Sequence, residues 1–229
     1  MYFDKHIDRN FLRVHVEDVV IFCHGLPYQP GSVIEKNYDK LASYFAERGK
    51  PSVIFDFSGT GLSRGEFSLS AWRDDLVNIV EKFSKVDLIA FSLGGVPATF
   101  TSSLKNVRSL VLVATPCCFE HIRILDKIYT HAKSRGFIRG IRTYENFVSK
   151  IKQDMEDLEP LKWIKNSKST MIVHGTADEI IPFESGKILY READQPKYFL
   201  KVLNGGHSLR QEKAVIDEII SWLDKKKEK

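Results

Sequence analysis

Short, unbroken apolar runs recur along this chain, and they restrict its fold more than any other feature. Val19-Val20-Ile21-Phe22-Cys23 is one, and Val86 to Phe91 is a second, interrupted only by Asp87. Leu110 to Ala114 and Thr170-Met171-Ile172-Val173 follow. A strand that is apolar at every position is buried on both faces, as in a parallel sheet covered by helices on each side. Between the runs the spacing turns helical. Val33 to Arg48 reads as a helix with Leu41, Tyr44 and Phe45 on one stripe and Gly49 as its stop. Ser70 is expected to cap a second helix, carrying Trp72, Leu76, Ile79, Val80 and Phe83. A third is expected after Ser92, and Leu209 to Leu223 forms an amphipathic closing helix. Val14–Val16, Ser52–Asp56 and Tyr198–Leu203 complete the expected strands. The predicted class is α/β, a mostly parallel central sheet with helices on both faces.

The alternation lapses from Thr115 to Ser169. Phe119, Ile122, Leu125, Ile128 and Tyr129 recur at helical spacing, as do Ile141, Tyr144, Phe147, Val148 and Ile151. Residues 1–114 and 170–229 are therefore expected to form the core, and 115–169 a small helical lid whose rim covers a site. The first half of that insertion is basic, through Arg123, Lys127, Lys133, Arg135, Arg139 and Arg142. We read this as a solvated helix face, partly offset by the acidic stretch Asp154 to Glu159, rather than as an anion site. Phe91, Leu93, Phe119, Tyr144 and Phe147 are candidates for an apolar acyl pocket, or for plain core.

Composition excludes several other classes. The 229 residues, 43% of them hydrophobic, suffice for one α/β domain with a substantial core. No run approaches the roughly 18 apolar residues of a membrane span. Met1 to Asn10 is too charged for a signal peptide, so the cytoplasm is the expected compartment. Cys23 ends a strand, and Cys117 and Cys118 are adjacent, so no disulfide framework is implied, and no Cys/His spacing suggests zinc. The net charge of +4 owes part to the Lys225–Lys229 tail, which reads as a helix end and not as a nucleic-acid patch. Nothing specifies an oligomeric state.

One strand end carries chemistry. Ala90-Phe91-Ser92-Leu93-Gly94-Gly95 places a serine between a buried strand and a helix start. A sharp turn there exposes the hydroxyl and aims the helix N-terminus at developing negative charge. A serine hydroxyl needs a base, and a histidine base needs a carboxylate to hold its tautomer. His174-Gly175-Thr176-Ala177-Asp178 and Gly205-Gly206-His207 each follow a strand, at the carboxyl edge where parallel sheets place their sites. We assign Ser92 as nucleophile, His207 as base and Asp178 as its orienter. His174 is a rival base that ends a buried strand, and Glu179 is a rival acid. His24-Gly25-Leu26-Pro27 supplies the second wall. Gly25 allows close approach, and the backbone N–H groups of Leu26 and Leu93 are the expected oxyanion donors, since Pro27 has none. His24 is expected to hold the loop rather than to react.

Together with Asp56-Phe57-Ser58-Gly59-Thr60-Gly61-Leu62-Ser63, these segments resemble the α/β-hydrolase superfamily over nearly the full length. The Asp56–Ser63 loop resembles that of the esterase, monoacylglycerol lipase-like and serine aminopeptidase-like branch. Ala90 stands where that pattern usually has glycine, and the amino-terminal segment is short enough that one leading antiparallel strand is expected to be missing. The resemblance implies a Ser-His-Asp hydrolase without metal or organic cofactor, with the Asp56–Ser63 loop shaping the site. The expected activity is hydrolysis of small to medium carboxylic esters of a small-molecule acyl substrate. An amide-cleaving aminopeptidase or amidase is the alternative, and a non-catalytic binding protein on the same scaffold is the third reading.

Overall fold

The computed structural model describes residues 18–134 and 136–227. The expected strand Val14–Val16, the segment Met1–Asn10 and Arg135 lie outside them. Six strands form one sheet: β1 (Asp18–Cys23), β2 (Ser52–Val53), β3 (Lys85–Phe91), β4 (Val107–Val113), β5 (Thr170–Gly175) and β6 (Lys197–Val202). Their spatial order is β2-β1-β3-β4-β5-β6, and every pairing is parallel.

The unbroken apolar runs divide between the two faces by simple alternation. Val20, Phe22, Ile89, Phe91, Val111, Val113, Met171 and Val173 face one layer, built by helices α1 (Tyr38–Ala46) and α8 (Lys213–Lys227). Val19, Ile21, Cys23, Leu88, Ala90, Leu110, Leu112 and Ile172 face the other. That second layer holds α2 (Leu69–Val80), α3 (Gly95–Thr101) and α7 (Phe183–Glu192). It also holds the helices between β4 and β5: α4 (Leu125–Ser134), α5 (Tyr144–Leu158) and α6 (Pro160–Trp163). No helix among the described residues is long and apolar enough to cross a membrane. Asp87, the one charge in its run, is held at the opposite edge from the serine by Arg108 and Ser109, whose Oγ lies 2.6 Å away.

Several local expectations need correction. The first helix begins at Tyr38, not Val33, because Asn37 adopts a left-handed φ of 62° and the Val33 N–H is drawn to Asp56 Oδ1 at 2.9 Å. Only Ser52 and Val53 of the expected Ser52–Asp56 strand pair with the sheet. Ser68, not Ser70, caps α2, accepting from the Ala71 N–H. Ser70 instead donates to Asp154 Oδ1 at 2.8 Å. Asp154 is therefore no solvated counterweight. It is 6% exposed, and its other oxygen accepts from the Leu69 N–H at 2.7 Å and Ser68 Oγ at 3.0 Å. A carboxylate from α5 thus completes the cap of α2, where the helix dipole favours negative charge.

Candidate active site

The sheet register brings the first two pieces of the site together. Cys23 pairs with Ala90 across β1 and β3, so the chain leaves both strands at the same level. Ser92 turns with φ 51°, a left-handed value unusual for a residue with a side chain, and enters a 3₁₀ turn that leads into α3. Such strain, of order 1–3 kcal/mol, persists only where its surroundings hold it. Gly25 lies directly against this elbow. A Cβ there would sit 2.9 Å from both the Phe91 carbonyl oxygen and Ser92 Cβ. Gly94 is equally confined, its Cβ position lying 2.3 Å from the His24 carbonyl oxygen. The Leu93 N–H falls in the first helical turn, where backbone donors lack an intrahelical acceptor. Among the described residues, the Leu26 N–H donates to no backbone carbonyl.

Asp178 and His207 follow β5 and β6. His207 Nε2 lies 2.9 Å from Ser92 Oγ, and His207 Nδ1 lies 2.9 Å from Asp178 Oδ2. Asp178 Oδ1 accepts from the N–H groups of Ile180 and Ile181, each at 2.9 Å. Burial opposes its charge, but hydrogen bonds from His174 and His207, the His207 charge and the Ile181 N–H outweigh burial and hold its carboxyl well below the usual range. The carboxylate is thus an acceptor that fixes Nδ1 as the protonated nitrogen and leaves Nε2 free to take the serine proton.

The rivals fall elsewhere. His174 is fully buried, and its Nε2 lies 3.0 Å from the Ile181 carbonyl oxygen and 3.5 Å from Asp178 Oδ2. A carbonyl can only accept, so Nε2–H is the protonated position, and this imidazole steadies the Asp178 loop. Glu179 is exposed and does not take part in the array.

His24 is a buried strut. Its Nε2 accepts from the Phe57 N–H at 3.0 Å, which leaves Nδ1–H to donate to the Gly25 carbonyl oxygen at 2.7 Å. Burial pulls its pKa down to about 3, so it remains neutral. The rings of Phe57 and Trp72 pack around it at 5.0 and 5.5 Å. The Asp56–Ser63 loop is tied back by Leu62 N–H to Asp56 Oδ2 at 3.1 Å.

The helical segment between β4 and β5 touches three loops around the serine. The Arg123 N–H donates to the Ile180 carbonyl at 3.0 Å, and His131 Nε2 lies 2.7 Å from the Tyr28 carbonyl. Arg139 exchanges backbone bonds with Gly59 and Phe67, and its guanidinium donates to the carbonyls of Thr60 and Gly61, each at 3.0 Å, and of Ser63. Arg139 therefore does not belong to a solvated basic face, and Lys133 donates to the Arg142 carbonyl. These partners lie far apart in sequence, and no local pattern announces them. Of the residues read as pocket lining or plain core, two are core. Phe91 faces the opposite side of the sheet, against Tyr38 at 5.9 Å, and Phe147 is fully buried core. A groove of about 570 Å³ is open to solvent and lined by Tyr28, Lys40, Tyr44 and Arg210, among others. It contains none of the three residues of the array.

A monoacylglycerol lipase from Paleococcus ferrophilus superimposes with a TM-score of 0.70 at 17% identity, covering 90% of this chain and 94% of its own. The esterase EaEST from Exiguobacterium antarcticum matches with a TM-score of 0.70 at 15% identity, covering 90% and 92%. At such identities the likeness is one of fold. Among curated proteins, YfhR of Escherichia coli strain K12, itself uncharacterised, is 25% identical over 187 residues, or 73% of this chain. The chain spans about half of that relative's length, 56%. The model of the "Alpha/beta hydrolase family" matches residues 20–218, from β1 into α8 and across every element described above, and the chain belongs to that family.

Proposed function

We propose that this protein is a serine hydrolase that cleaves carboxylic esters of small to medium acyl chain through an acyl-enzyme. The observation that carries the reading is the continuous array Ser92 Oγ–His207 Nε2, His207 Nδ1–Asp178 Oδ2, with both separations 2.9 Å. Ser92 attacks the acyl carbonyl as His207 takes its proton, and Asp178 stabilises the imidazolium. The oxyanion rests on the Leu26 and Leu93 N–H groups, each worth about 3 kcal/mol in the transition state. His207 then protonates the leaving alcohol, and water attacking through the same base releases the acid. None of these steps calls on a metal or organic cofactor.

Residues 115–169 act as the lid in this reading. It is supported by the bonds from Arg123, His131 and Arg139 to the Ile180, Tyr28 and Gly59–Ser63 backbone. Leu26, Leu93 and Phe119, which pack on one cluster, are the acyl-side surface, in keeping with a modest acyl chain. The substrate is a small molecule, and the expected setting is the cytoplasm.

The test is turnover of p-nitrophenyl esters from acetyl to palmitoyl, with Ser92→Ala beside the wild type. The expected result is a preference for the shorter chains and loss of turnover in the variant, with unchanged circular dichroism. Hydrolysis of aminoacyl anilides but of no ester would overturn the ester assignment. Failure of a fluorophosphonate to label Ser92 would overturn the catalytic one.

A further inference from the structure

A second cluster of reactive side chains lies outside the Ser92–His207–Asp178 array. Past the end of β4 the chain reaches Cys117 and Cys118, and a 3₁₀ turn over Phe119–His121 folds His121 back onto them. Cys117 Sγ lies 3.5 Å from Cys118 Sγ and 3.3 Å from His121 Nδ1. Both cysteines are free thiols, and 3.5 Å is far longer than the roughly 2.05 Å of a disulfide. Glu120 and Glu159 each bring a carboxylate oxygen within 4.8 Å of Cys118 Sγ. Ser185, on α7, accepts from the Cys117 N–H at 3.2 Å, and its Oγ lies 2.8 Å from His121 Nδ1 and 3.5 Å from Cys117 Sγ.

The spacing has a chemical meaning. Bonds of about 2.3 Å to sulfur and 2.05 Å to nitrogen, in a tetrahedron, put two sulfurs about 3.8 Å apart and sulfur and nitrogen about 3.6 Å apart. The separations in the protein fall within a few tenths of an ångström of these edges. We propose that Cys117, Cys118 and His121 form a binding site for a borderline-soft divalent cation of the zinc class. The fourth position belongs to solvent or to a carboxylate of Glu120 or Glu159. Two thiolates and an imidazole select such a cation over magnesium or calcium, which prefer oxygen. Ser185 changes role on binding. It gives up His121 Nδ1 to the cation and donates its hydroxyl to Cys117 Sγ, as outer partners of thiolate ligands do.

Binding breaks two S–H bonds, forms two sulfur–metal bonds and sends two protons to solvent, with no change of oxidation state. Affinity therefore rises with pH. The Cys117 carbonyl accepts from the Leu161 N–H of α6 at 3.3 Å, and Ser185 belongs to α7. The cation thus staples the root of the helical insertion to its exit and to the core, and its effect is on stability.

The experiment is titration of the full-length, reduced, chelator-treated protein with Co²⁺, followed by displacement with Zn²⁺. One equivalent should bind with a thiolate-to-cobalt charge-transfer band and the intense visible bands of tetrahedral cobalt, and Zn²⁺ should abolish both and raise Tm. Cys118→Ser should lose the charge-transfer intensity of one sulfur and bind at least about 10-fold more weakly. His121→Ala should weaken binding by about 10- to 100-fold while keeping the sulfur band. Circular dichroism checks the fold of each variant, and Cys118, which is only half-buried, is the safer change. The proposal is overturned if the wild type shows no such bands, or if Cys118→Ser keeps them unaltered. It is equally overturned if the two thiols are lost only in air, as a Cys117–Cys118 disulfide, with no cation taken up.

Discussion

Gly25→Ala isolates the proposed oxyanion wall from the rest of the chemistry. Gly25 does not adopt a left-handed backbone, so alanine is conformationally permitted and only space opposes it. The new methyl would lie 2.9 Å from the Phe91 carbonyl oxygen and from Ser92 Cβ, both on the rigid elbow. Normal contact between carbon atoms begins near 3.5 Å, so the His24–Pro27 loop must retreat by roughly 0.5–1 Å. The Leu26 N–H retreats with it. Losing one oxyanion donor costs about 3 kcal/mol, and a misplacement of this size costs of order 100-fold in rate. We expect kcat on a short p-nitrophenyl ester to fall by about 100-fold, with a smaller change in KM. Overpacking should also cost stability, by about 1–3 kcal/mol, measured by urea denaturation. Phosphonate labelling of Ser92 should persist more slowly, because the nucleophile and base are still present. Wild-type kcat in a folded Gly25→Ala protein would refute the assignment of Leu26 as a donor.

Other consequences follow from the same geometry. Asp178→Asn should lower turnover by about 10⁴-fold with little loss of stability, because the amide can present a donor to His207 Nδ1 and impose the wrong tautomer. Asp154→Ala should destabilise the fold by about 3–5 kcal/mol in chemical denaturation, since it strips a buried N–H and two hydroxyls of a charged acceptor; Asp154→Asn should cost less. His24 predicts a pH dependence of folding. Its native pKa is about 3 against about 6.5 unfolded, so between those values only the unfolded chain takes up the proton, and stability should decline as pH falls through that window. The full contribution is of order 5 kcal/mol, and the slope of urea midpoint against pH should flatten in His24→Asn.

Local chemistry determined much of this protein. Apolar runs such as Val19–Cys23 alternate onto both faces, and every residue must then be apolar, so a parallel sheet covered on each side was legible before any coordinate. Ser92, Asp178 and His207 were legible for a related reason. Each sits just past a strand, and parallel strands deliver their carboxyl ends to one edge. Only the tertiary structure decided the contacts between segments remote in sequence. Asp154 caps a helix 85 residues away, Arg139 grips the carbonyls of Thr60 and Gly61, and Ser185 joins Cys117 and His121. The same limit explains the misplaced starts of α1 and α2. A side chain from elsewhere, Asp56 in one case and Asp154 in the other, competes for the backbone donors that local propensity alone would assign. Periodicity is a property of one segment and can be read along it, whereas a hydrogen bond between segments depends on where the folded backbone carries both ends.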